Sequence, residues 1–76
     1  MDKTEESIVY TQHALQRMLV RNITKQMVRE TLFNPEQTET GYKSRKLAYK
    51  SFGDERIKVV YTEEDEKRII ISVMWD

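Results

Sequence analysis

The 76-residue sequence predicts an α+β domain: a short strand, a two-helix hairpin, then an antiparallel meander of three or four strands, in the order β-α-α-β-β-β. Three observations point there. Apolar residues recur with helical spacing through the first half of the chain. The period falls to two in the second half, where Val, Ile, Tyr and Phe accumulate. Pro35 and Gly53 stand at the boundaries between these segments, where a chain break is needed.

Ile8-Val9-Tyr10 is a short β-prone stretch, and Thr11 is placed to cap a helix. Ala14, Leu15, Met18 and Leu19 then form one stripe at about 100° per residue, which predicts an amphipathic helix burying all four. Asn22 tolerates the left-handed conformation that ends such a helix. Thr24 caps a second helix, with Ile23 positioned to staple onto Val28. Met27, Val28, Thr31 and Leu32 repeat the spacing until Asn34-Pro35 stops it, because the residue before proline is pushed out of the helical region. Thr38–Lys43 reads as a weak strand around Gly41. Leu47–Phe52, Arg56–Thr62 and Arg68–Trp75 read as strong strands, with Gly53-Asp54 turning the first pair and Thr62–Lys67 a charged connection for the second. Ile57, Val59 and Tyr61 alternate as one buried face. Ile69–Ile71 is continuously apolar, which predicts a last strand that is central or covered on both faces.

One small domain over residues 1–76 is expected from the length, with a disordered tail over 1–7. The absence of cysteine excludes a disulfide framework and thiolate chemistry. A single His excludes a multi-histidine metal site in one chain, so neither a metal nor a cofactor is expected. No apolar run suggests a membrane span or a signal peptide, and the cytoplasm is the expected compartment.

Thirteen basic residues balance thirteen acidic ones, yet the charges are segregated. Eight cations face three carboxylates between Gln12 and Lys50, and the rest of the chain is acidic to the same extent. Diffuse binding to polyanions is excluded, but a local basic face is not. Tyr42, Tyr49 and Phe52 interleave with its lysines, and aromatic rings beside cations can stack the bases of single-stranded RNA. Lys43, Arg45, Lys46 and Tyr49 are the candidate binding residues. Tyr49 and Phe52 have a simpler account as strand residues of the core.

His13, Arg17 and Arg21 recur every four residues along one helical stripe at the rim of the apolar face. Two arginines stacked this way suit a nearby anion, a carboxylate of this chain or a bound phosphate. His13, Arg17 and Arg21 are therefore the candidate catalytic residues. Their plainer account is a boundary histidine with arginines paired to Glu30, Glu36 or the acidic turn at 63–66. That turn, Glu63-Glu64-Asp65-Glu66, reads as a solvated loop tip without calcium-loop spacing.

The run from Tyr10 to Thr24, with its Thr11, His13-Ala14, Arg17-Met18, Arg21, Ile23 and Thr24, resembles the opening of the domain-of-unknown-function family 4258. Asn34-Pro35, Gly41 and the closing Val/Ile-rich strands match as well, so the resemblance spans roughly residues 8–74. Asn22 stands where many members carry glycine. The family has no established activity, but its order of elements is similar to small ribonuclease-like toxins of bacterial toxin–antitoxin systems. That similarity implies a catalytic role for His13 on the first helix.

Two functions follow as expectations. One is a metal-independent endoribonuclease in which His13 removes the 2′-hydroxyl proton while Arg17 and Arg21, joined by Arg45 or Lys46, steady the phosphate, with Tyr49, Tyr61 or a lysine as proton donor. The other is a non-catalytic module that binds RNA or a protein through the same basic face. The expected partners are RNA or a small antitoxin-like protein, with no membrane, for a chain that is a monomer or weak homodimer.

Overall fold

Thr11 joins the first strand, β1 (Ile8–Tyr10), to the first helix, α1 (Gln12–Arg21). Its hydroxyl oxygen accepts from the Ala14 N–H at 3.1 Å and donates to the Ile70 carbonyl at 2.7 Å. One side chain thus caps the helix and ties it to the far end of the sequence. The protein is described by a computed structural model covering residues 7–76. The tail expected over residues 1–7 lies outside the described residues apart from Ser7, whose carbonyl accepts from the Arg68 N–H at 2.6 Å.

Asn22 closes α1 in the left-handed conformation (φ 58°, ψ 42°), and the Ile23 N–H reaches back to the Met18 carbonyl at 2.9 Å. Thr24 caps α2 (Lys25–Phe33), where the Met27 sulfur completes a reciprocal capping box. Both helices therefore begin and end where local chemistry places them.

The remaining elements are β2 (Gln37–Thr40), a 3-10 turn (Tyr42–Ser44), β3 (Lys46–Phe52), β4 (Glu55–Glu64) and β5 (Lys67–Trp75). They form one five-stranded sheet in the order β1-β5-β4-β3-β2. All pairs are antiparallel except β1 with β5. The weak strand around Gly41 is shorter than expected and ends at Thr40. The charged connection at 62–67 shrinks to Asp65-Glu66, since Glu64 pairs with Lys67; both turn residues take positive φ, 52° and 64°. Gly53 supplies the positive φ (69°) at the β3–β4 turn.

Both helices pack on the face bearing Ala48, Ile57, Val59, Ile70 and Val73, which with Ala14, Met18, Ile23, Val28 and Leu32 make the core. Ile70 and Val73 are three residues apart yet both fully buried. A register shift opposite Val60/Tyr61 leaves Ile71 as an extra residue and resets the alternation. β5 lies between β1 and β4, as its apolar run predicts.

The predicted stripe of α1 is corrected by the structure. Ala14 and Met18 are buried, but Leu15 is 41% and Leu19 83% exposed. Arg17 and Arg21 occupy the half-buried rim instead. The guanidinium of Arg21 donates to the Val73 carbonyl at 3.0 Å, and the Trp75 indole N–H donates to the Arg21 carbonyl at 2.8 Å. These two bonds rotate α1 so that its arginines, not its leucines, lie along β5. The first of them also engages β5 backbone beyond the stretch that three-residue β1 pairs.

Candidate functional site

α1 carries three of the sequence-selected residues in different environments. His13 is exposed and Arg17 half-buried, one helical turn apart, and neither has a hydrogen-bond or ion-pair partner among the described residues. Arg21, one turn further, is engaged by Val73. Among the described residues no carboxylate meets Arg21; the Val73 carbonyl takes the place expected for an anion.

The second set sits on and beside the β2–β3 turn. Lys43 and Ser44 adopt positive φ (59° and 65°), and the turn is closed by Gly41 N–H to the Arg45 carbonyl at 2.6 Å and Arg45 N–H to the Tyr42 carbonyl at 3.2 Å. The Tyr42 ring projects from it 82% exposed, with the Lys43 ammonium 5.6 Å from its centroid. Lys46 turns away to Glu63 at 2.5 Å, which lowers the Glu63 pKa chiefly through that hydrogen bond and raises that of Lys46. Tyr49 is only 6% exposed. Arg56 lies 4.5 Å from its ring centroid, and its hydroxyl donates to Glu39 at 3.1 Å. Burial, then that bond, pushes its pKa up. Tyr42 is thus the aromatic ring of the basic segment that stands open, and the sequence marks it only by its basic neighbours.

The two sets do not converge. Tyr10 pairs with Ile70, Ile70 with Tyr61, Tyr61 with Lys46 and Lys46 with Thr40, so one row crosses the whole sheet. Four steps of about 4.8 Å separate its ends by about 19 Å. α1 starts at one end of this row and the β2–β3 turn at the other.

Most of the basic segment is committed internally. Lys25 lies over the Tyr10 ring at 5.2 Å, Lys50 donates to the Asn34 carbonyl at 3.1 Å, and Arg29 also has a partner. Of its eight cations, only the side chains of Arg17 and Arg45 are without one among the described residues. Among those residues no three metal-ligating side chains come together, and no helix is long and apolar enough to cross a membrane.

Against this geometry, the pattern of one protein family, described as Domain of unknown function (DUF4258), matches residues 10–75. The chain belongs to the DUF4258 family. No curated protein and no solved structure matches it. The residues shared with the DUF4258 opening divide by task in this chain. Thr11 and Thr24 cap helices, Ala14, Met18 and Ile23 are buried, and Arg21 holds β5. His13 and Arg17 are the two without such a task.

Proposed function

We propose that this domain acts on single-stranded RNA as a metal-independent endoribonuclease centred on His13 and Arg17. The observation that carries this reading is the division of labour on α1. Every other residue of its opening motif has a structural duty, whereas exposed His13 and half-buried Arg17 stand one turn apart without partners among the described residues. A histidine imidazole is the side chain best suited to take up and release a proton near neutral pH. His13 takes the 2′-hydroxyl proton and the 2′-oxygen attacks the adjacent phosphorus. The bond to the 5′-oxygen breaks, leaving a 2′,3′-cyclic phosphate, and water supplies the proton to the departing oxygen. Arg17 pairs with the phosphoryl oxygens as their charge grows. Arg21 supports the reaction by fixing α1 on β5. Tyr49 is not the proton donor in this scheme, because its hydroxyl is buried and given to Glu39.

The decisive assay incubates the purified protein with a single-stranded RNA and with the same strand carrying one 2′-deoxy linkage. Cleavage is expected in the first and blocked at the modified linkage in the second. His13→Ala is expected to abolish the product with an unchanged melting temperature, since His13 is exposed. An intact RNA after prolonged incubation at low salt overturns the catalytic reading.

A second reading, binding without cleavage, is favoured by Tyr42. An open ring beside Lys43 and Arg45 on a turn closed by backbone hydrogen bonds suits base stacking. Tyr42→Ala is expected to weaken RNA binding about tenfold, in line with about 1–3 kcal/mol per stacked base. Fluorescence anisotropy of a labelled strand reads this directly.

A further inference from the structure

We infer that the sheet face turned away from the helices is a contact surface between two copies of this chain, packed face to face with their β4 strands antiparallel. Both helices lie over the face that carries Ile57, Val59, Ile70 and Val73. The register places Val9, Leu47, Val60 and Ile69 on the opposite face. The irregularity at Val60/Tyr61 adds Ile71, which shares with Ser72 the position across from Val60. Val9 is 40% exposed and the other four are half-buried, and no element among the described residues covers them. Five aliphatic side chains in two adjacent rows form a surface on which a second sheet packs at about 10 Å.

The central strand decides the occupant. On the open face β4 reads Arg56, Lys58, Val60, Thr62 and Glu64, cationic at one end and acidic at the other. Arg56 is engaged by Asp76 and lies over the Tyr49 ring. Lys58 and Glu64 have no side-chain partner among the described residues, and Lys67, across from Glu64 on β5, forms no ion pair with it. Six residues, about 20 Å of strand, hold Lys58 and Glu64 apart within one chain. Their midpoint is Tyr61, and the level of Tyr61 runs between the row of Val9 and Ile69 and the row of Ile71, Val60 and Leu47. A two-fold axis crossing the sheet there lays one row on the other and sets each Lys58 opposite the Glu64 of the other copy. With the strands parallel, Lys58 would meet Lys58. Residues 1–6 bring one apolar side chain, Met1, against five to be covered. The five strands offer about 500 Å2 per copy, about 1,000 Å2 together, at the low end of specific interfaces, so the dimer is weak. His13 and Arg17 lie on α1, on the other side of the sheet, so the contact leaves the proposed RNA site open and stands without it.

Sedimentation equilibrium of the full chain from micromolar to submillimolar concentration tests this, and a reversible monomer–dimer equilibrium is expected. Lys58→Glu and Glu64→Lys are each expected to weaken the dimer by about tenfold or more, because each sets like charges opposite at two places. The melting temperature of either variant, measured where the protein is monomeric, is expected to stay unchanged, since neither side chain has a partner in its own chain. An equimolar mixture of the two variants is expected to dimerise as the unaltered chain does, because each offers the charge the other lacks. Val60→Ser is expected to weaken the dimer through the apolar rows alone, and the mixture does not rescue it. The proposal is overturned by a monomer at every concentration, by single charge variants that dimerise normally, or by a mixture that stays monomeric. A dimer that Thr38→Pro dissolves and Lys58→Glu does not would move the contact to the β2 edge and overturn it as well. A chain that dimerises only once residues 1–6 are removed would assign the face to that segment instead.

Discussion

The inner and outer flanks of α1 exchange the residues that simple amphipathicity would give them. The side toward the sheet takes Ala14, Met18 and the stems of two arginines, while two leucines face water. A helix places long side chains by what they can reach as well as by what they repel. Arg21 reaches the Val73 carbonyl, and its stem stays against the core. Burial of Leu15 and Leu19 would require α1 to turn away from that bond. The exchange teaches that a small domain can hold a helix by its polar rim and leave apolar surface for other uses.

The largest effect that could break this contrast is at its centre. Met18→Ala is expected to destabilise the domain by about 3 kcal/mol in urea denaturation, as a buried methionine does when truncated. Leu19→Ala should stay within about 0.5 kcal/mol. Equal losses would place both residues in one core and erase the two flanks. The rim gives the next largest effect. Arg21→Met keeps the stem and removes the donor, and is expected to cost about 2 kcal/mol for a charge-assisted bond. Arg17→Met lacks such a partner and should cost less than a quarter of that. A smaller effect sharpens the contrast from outside α1. Glu63 is held in its charged form by Lys46, so its pKa lies lower folded than unfolded. The unfolded chain then binds the proton first, and stability from this pair is present above about pH 4.3 and lost as pH falls through the folded value. Glu63→Gln should flatten that part of the acid limb while leaving the difference between Met18 and Leu19 variants unchanged. The pair is exposed, so the change is modest and shrinks with salt.

What was legible in the residues is what depends on neighbours in sequence. Thr11, Asn22 and Thr24 set the helix ends because a cap acts within a turn of itself, and the alternation of Ile57, Val59 and Tyr61 survives intact. The rotation of α1 was not legible. It follows from bonds to Val73 and Trp75, more than fifty residues away, on a strand whose alternation is itself reset at Ile71. The shortness of the 62–67 connection has no local signal, because its left-handed turn uses Asp65-Glu66 rather than the Asn or Gly that usually announces one. The candidate site divides the same way. His13 and Arg17 share a helix, so spacing alone groups them. The fate of Tyr49 depends on Arg56 and Glu39 across the sheet, and no local pattern records that.

The pairing of β1 with β5 governs when the protein can come into being. Among the described residues the first strand pairs with β5 alone, and the Thr11 hydroxyl donates to Ile70. Helices α1 and α2 can flicker into shape early, but neither has a floor until the meander is laid down. Folding must then close a loop of nearly the whole described chain before α1 is anchored, a non-local step of the kind that slows small domains. During synthesis α1 is therefore anchored only after Val73 and Trp75 have emerged, so a growing chain carries the residues of the proposed site long before it holds them in place.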